Sequence, residues 1–311
     1  MSLLSCGGTA DVPPLEPPYR AFPSTSWWNT ALATSVPQHP DESAILNYLR
    51  TAPENGGGFL RLAGAGDNGW GQPVYWAGAG DPEYNVEWAD DRRPPELDNL
   101  RIPVGARAAD TSDGSLTLFD LERGYVVAMT DAVNTAGRWS ISGVTITYLD
   151  SNGLSGQWPQ SDELANMGSH RGNNGAVMMA RWDEVRSGAI DHVLKISVGP
   201  ETNTRHVFPL VGSDGDSGTS PIPQGLRIRI RPSVNLATLG LQPEALVIAQ
   251  AAQEYGVYFG DSGGNTMLKL ENTRAEGRGQ LWSVTATALA GLPFTTEFWD
   301  VVSEGYDPSA D

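Results

Sequence analysis

GLRIRIR, residues 225–231, alternates without a break: Leu226, Ile228 and Ile230 point one way, and Arg227, Arg229 and Arg231 the other. A period of two is that of an extended strand, whose successive side chains leave opposite faces. The same period runs through residues 189–198, with Ile190, His192, Leu194 and Ile196 on one face and Asp191, Val193, Lys195 and Ser197 on the other. Shorter strand signals lie at 115–120, 125–129, 144–149, 257–259 and 267–270, the last two read as a pair, with turn residues between them. Helical spacing is confined to two stretches. One starts near Asp41 and puts Ile45, Leu46 and Leu49 on one face; the other, 243–255, opens on a proline and stops at Gly256. The 36 Gly and 22 Pro are spread along the chain, as many turns between short elements require. Many short strands and few helices predict a mostly β fold: a β-sandwich of the jelly-roll type with a few short helices, a β-barrel being the alternative.

The 311 residues divide into a leader (1–21), one sandwich domain (22–303) and a tail (304–311). Twenty Lys+Arg against 37 Asp+Glu give a net charge of -17, which repels phosphate backbones and excludes nucleic acid as a natural partner. Only Lys195 and Lys269 are lysines, so nearly all positive charge is guanidinium, suited to planar pairing with carboxylates. No apolar run approaches the roughly 20 residues of a membrane helix. The single cysteine makes no internal disulfide, but Leu3-Leu4-Ser5-Cys6 resembles the lipobox at which bacterial lipoprotein precursors are cut and lipidated, and a Pro-rich tether follows at 12–18. A secreted or cell-surface lipoprotein, touching the membrane through a lipid on Cys6, is the expectation.

Residues 260–264, Gly-Asp-Ser-Gly-Gly, repeat the string around the nucleophile of trypsin-like proteases. The rest of that machinery is missing. None of His39, His170, His192 and His206 sits in an Ala-His-Cys setting, and Asn265 stands where the usual proline follows. No Gly-x-Ser-x-Gly elbow lies between a strand and a helix, and no His-x-x-x-His pair suggests zinc. Ser262 therefore reads as a turn residue between two strands.

Three groups could carry chemistry. Asp110, Asp113, Asp120, Glu122 and Asp131 surround a strand hairpin, and carboxylates about 5 to 10 Å apart do the acid/base work of glycoside cleavage. His170 and Arg171 share a Gly-rich loop; His192 is either a hydrogen-bonded core histidine or a proton shuttle in a concave sheet face. Arg227, Arg229 and Arg231 either pair internally or neutralise a uronate polymer, with Tyr255 or Tyr258 as base. The catalytic candidates are Asp113, Asp120, His170, His192 and Asp261. Trp70, Trp76, Trp88, Arg171 and Tyr255 are the substrate-binding candidates, because indole faces stack on pyranose rings. No cofactor is called for. A structural calcium would find oxygen-rich turns at 211–218 and 150–153.

The run from Arg181 to Leu194, with Ser112-Asp113-Gly114-Ser115-Leu116 and Tyr255-Gly256-Val257, resembles a set of secreted bacterial β-rich proteins without an assigned activity. The resemblance spans about 22–300, implies an exported β-rich domain and carries over no catalytic residue. The functional expectation is an extracytoplasmic carbohydrate-active enzyme acting on a polysaccharide, a glycoside hydrolase using Asp/Glu chemistry. The alternatives are a polysaccharide lyase using His192 or Tyr255 and a non-catalytic glycan-binding surface lipoprotein. Convergence of the candidates in one concave site separates enzyme from binder.

Overall fold

The structure, a computed structural model, describes residues 18–52, 55–66, 68–90, 93–154, 172–199 and 201–310. Residues 1–17 of the leader, with Cys6, and the candidates His170 and Arg171 lie outside the described residues. Three α-helices are described: α1 (Glu42–Thr51), α2 (Trp182–Ser187) and α3 (Pro243–Glu254). Two sheets dominate. The larger is six-stranded, built from β1 (Arg61–Ala63), β10 (Leu194–Val198), β11 (Arg227–Ile230), β12 (Val257–Ser262), β13 (Met267–Lys269) and β14 (Trp299–Val301), in the order β1-β13-β10-β12-β11-β14. The smaller runs β2 (Val74–Trp76), β5 (Leu116–Asp120), β6 (Tyr125–Thr130), β9 (Gly143–Tyr148). Two short ribbons, β3 (Glu83–Tyr84) with β4 (Leu100–Arg101) and β7 (Val133–Thr135) with β8 (Arg138–Ser140), complete the strands.

None of these sheets closes into a barrel; the molecule is a β-sandwich with short helices. Its sheets are mixed rather than purely antiparallel, since β1–β13, β2–β5 and β10–β12 run parallel. Alternation explains the layers. Leu194, Ile196, Ile228, Ile230, Val257, Phe259 and Leu268 form one cluster with Ile45, Leu46 and Leu49 of α1 and Ala245, Ile248 and Ala249 of α3. Between the sheets, Trp27, Trp28, Val193 and Tyr258 meet Val74, Phe119 and Val126. On its other side the small sheet packs Leu116, Leu118, Val127 and Ile146 against Val86, Leu97, Leu100 and Trp139. Every residue of β5 is buried. Each such aliphatic or aromatic side chain contributes about 1.5–3 kcal/mol of transfer free energy, before chain entropy is set against it.

Two expectations need correction. The strand read over 189–198 begins only at Leu194, because the preceding residues turn to other partners: Val193 N donates to Trp28 O at 2.8 Å, and the His192 ring to a neighbouring carbonyl and carboxylate. Strands β12 and β13 do not pair with each other. Strand β10 lies between them, parallel to β12 and antiparallel to β13. The Gly263–Gly264 turn, with φ of 98° and 67°, steps over the end of β10, where Gly263 N donates to Val198 O at 2.9 Å and Gly199 N to the Thr266 hydroxyl at 3.2 Å.

Candidate functional site

The antiparallel register of β10 and β13 sets Ile196 opposite Leu268 and Ser197 opposite Met267. Ile196 and Leu268 face the helices, so the next pair, Lys195 and Lys269, faces the other way, toward the small sheet. The chain's two lysines are thus cross-strand neighbours. Like charges in that position repel, and each lysine has an aspartate: Lys195 Nζ lies 2.5 Å from Asp261 Oδ2, and Lys269 Nζ lies 3.4 Å from Asp113 Oδ2. Asp113 comes from the turn that enters β5, so the Lys269–Asp113 pair links the two sheets. Lys195 is the more enclosed lysine, with 12% of its side chain exposed against 26% for Lys269 and 45% for Asp113.

Burial pushes the Lys269 ammonium below the ordinary lysine value, and the Lys195 charge adds to the shift; Asp261 and Asp113 pull in the opposite direction. Lys269 therefore holds its proton loosely and responds to both aspartates. The loop carrying Trp70 lies beside the Asp113 turn: a methyl placed on Gly69 would sit 3.9 Å from Thr111. Trp70 itself is 41% exposed.

The other sequence candidates take different places. Asp120, 1% exposed at the opposite end of β5, accepts from Arg123 N at 3.0 Å and pairs with Arg101 at 3.4 Å, pinning the β5–β6 hairpin. His192 is 1% exposed; its Nε2 lies 2.9 Å from Glu184 Oε1 and its Nδ1 2.8 Å from Val193 O, the surroundings of a hydrogen-bonded core histidine. Tyr255 closes α3, and its carbonyl accepts from Arg227 Nε at 2.6 Å. Trp76 lies between the sheets, 4.5 Å from Phe119 by ring centroids, and Trp88 donates to Ser142 O at 3.0 Å. The ten tryptophans include Trp27, Trp28, Trp139, Trp282 and Trp299 in the core.

The arginine ridge is spent internally. Arg227 is buried with its guanidinium 4.7 Å above the Trp27 ring; Arg229 holds Asp300, Ala33 O and Thr34 O; Arg231 pairs with Glu42 and Asp300. Arg229 also walls a cleft of about 540 Å³ beside α3, together with Thr34, Asp191 and Glu254. The Ser262 hydroxyl pairs with Thr202 Oγ1 at 2.6 Å and accepts from Thr202 N at 3.0 Å; contrary to the turn expected there, Ser262 is the last residue of β12, opposite Val198, and the turn begins at Gly263. Among the described residues no group of three or more His, Cys, Asp or Glu side chains is arranged to hold a metal ion. In the 150–153 turn, Ser151 Oγ and Asn152 Oδ1 already accept from the amides of Gly153 and Leu154.

Of the candidate carboxylates, then, the structure gathers Asp113 and Asp261 and leaves Asp120 apart. The lysines between them were visible in the sequence as a count of two, but their meeting depends on register. Comparison of the chain with family models, with curated proteins and with solved structures finds no match.

Proposed function

We propose that the chain is an extracytoplasmic enzyme that cleaves a polysaccharide by acid–base hydrolysis where the Lys269–Asp113 pair links its two sheets. The observation that carries this reading is the meeting of the chain's two lysines, each with an aspartate, at one accessible place. Asp261, in contact with an ammonium, is an acceptor and takes the proton of the attacking water. Lys269, whose proton is loosely held, delivers one to the leaving glycosidic oxygen, and Asp113 orients it. The C–O bond breaks, the water oxygen bonds to the sugar carbon, and the proton passes back from Asp261 to Lys269 through solvent. The exposed Trp70 on the bordering loop supports a sugar substrate, because an indole face matches the apolar face of a pyranose ring.

A second reading is elimination on a uronate polymer. It draws on Lys195, which offers a substrate carboxylate the counter-charge that the buried arginine ridge does not. In that case neutral Lys269 removes the C5 proton, the C4–C5 double bond forms as the C4–O bond breaks, and the leaving oxygen takes a proton from solvent. Incubation with a panel of neutral and uronate polysaccharides separates the readings. Hydrolysis releases reducing ends without the absorbance of unsaturated products, and elimination releases both. The hydrolysis signal should fall by about a hundredfold or more in Asp261→Asn. Binding without either signal marks a glycan-binding protein instead. Export through lipidated Cys6 rests on residues 3–6, and loss of palmitate labelling in Cys6→Ser tests it.

A further inference from the structure

We infer that Asn173 is a positioning residue for Asp261: its carboxamide holds the Gly260 bulge that turns the Asp261 side chain onto the lysine face. The role in catalysis rests on the proposed reading of Asp261 as the base; the placement of Asp261 does not.

Parity makes the case. In β12, Val257 and Phe259 face the helices, opposite Leu194 and Ile196, and Tyr258 faces the lysine side, opposite Lys195. Regular alternation would send Gly260 to the lysine side and Asp261 into the helix-covered core. The register shifts after Ile196, however, and Ser197 is opposite Asp261 rather than Gly260. Gly260 is the extra residue of a β-bulge, a device that re-aims the side chain after it. The ion pair with Lys195 exists because of that one inserted residue.

Asn173 grips the bulge. Its Nδ2 donates to Gly260 O at 2.6 Å, and its Oδ1 accepts from Tyr258 Oη, also at 2.6 Å. A carbonyl can only accept, so the amide group must face Gly260, and the oxygen is left for the phenol. Tyr258 is held in turn by Trp27 and Trp28, at ring-centroid distances of 6.2 and 5.3 Å, and burial pushes its hydroxyl well above the ordinary value, so it stays a donor. There is no slack: a Cβ on Gly260 would lie 2.8 Å from both Asn173 Oδ1 and Lys195 Cγ. Asn173 and Lys195 both crowd Gly260, and Asn173 acts on Asp261 through the Gly260 backbone.

With two lysines and one α-amine in the chain, amine acetylation read by mass spectrometry reports each lysine separately and needs no substrate. Asp261→Asn removes a charge that raises the Lys269 pKa and the 2.5 Å partner of Lys195, so both amines should acetylate faster. One pKa unit is tenfold in neutral amine, so the expected gain is about three- to tenfold. Asn173→Ala, matched to the native fold by circular dichroism, should reproduce that gain. The double variant should gain no more than Asp261→Asn alone. Unchanged acetylation in folded Asn173→Ala, or gains that multiply in the double variant, would overturn the inference. Should Asn173→Ala not fold, Tyr258→Phe decides: it keeps the ring and removes the hydroxyl, and must speed acetylation in the same direction, whereas native rates refute the clamp. A protein that acetylates as expected but cleaves no polysaccharide retains the clamp and loses the proposed function. Cleavage lost in Asn173→Ala with native acetylation does the reverse.

Discussion

His192→Ala should unfold this protein more easily without touching its chemistry. The imidazole is 1% exposed and uses both nitrogens, one on Glu184 and one on the Val193 carbonyl. Truncation opens a void in a packed site, which costs about 2 kcal/mol or more by analogy with other core truncations. It also strips Glu184, itself buried, of one of its two cationic or hydrogen-bonding neighbours, while Arg181 at 3.0 Å remains. Loss of a hydrogen bond to a buried charged group adds about 1.5–3 kcal/mol. The total is about 3–5 kcal/mol, which in a domain of this size lowers Tm by about 6–20 °C. Thermal denaturation followed by circular dichroism measures it. A double-mutant cycle with Glu184→Gln should give a coupling of about 1–3 kcal/mol. Destabilisation below about 1 kcal/mol, or lost turnover at unchanged Tm, would refute this account and move His192 into the site. The pH dependence has a definite sign. Burial raises the Glu184 carboxyl, but Arg181 and His192 more than offset it, so its folded value lies below the ordinary glutamate value. That contribution is present above the unfolded value and is lost as pH falls through the lower, folded one. Native stability should therefore decline in acid below about pH 4.5, and less so in Glu184→Gln.

Ser262→Ala should leave turnover intact and cost about 1 kcal/mol, the worth of its hydroxyl on Thr202, by chemical denaturation; a thousandfold loss of activity would restore a serine nucleophile. Gly260→Ala should cost about 1–3 kcal/mol, because the added methyl meets Asn173 and Lys195, and a neutral result in urea melts would mean that the bulge can relax. Chelation should leave Tm unchanged, since Asp214 of the 211–218 turn is bonded to Gln224; a Tm that rises with added calcium would contradict this.

The mostly β class was legible because Leu226, Ile228 and Ile230 against three arginines admit no other period, and helix α3 because Pro243 and Gly256 bracket it. What failed is what depends on partners distant in the chain. Alternation continues from Ile190 through His192 as smoothly as from Leu194 onward, and nothing local says that His192 will turn to Glu184. Val257–Phe259 and Met267–Leu270 look like a hairpin because a Gly-Gly turn joins them, and the strand inserted between them comes from elsewhere. Asp261 was legible as a polar residue near a turn, but its side of the sheet was hidden by one uncounted residue, Gly260. Asp113 and Asp120 look equivalent on either side of β5, yet only Asp113 reaches a lysine across the gap between the sheets.

The insertion of β10 between β12 and β13 also bears on how the chain is made. Lys195 finds Asp261 66 residues further on, and Ser197 finds Met267 70 residues on. During synthesis, β10 leaves the ribosome with neither flanking strand yet in existence, its apolar face and both edges open. The two strands that will enclose it then arrive almost together, joined by a four-residue step, and cannot close on each other without shutting it out. Sheet formation here is a contest between a quick local hairpin and a slower long-range insertion. The glycine-rich step that joins β12 to β13 reaches over the end of β10, as the long-range arrangement requires.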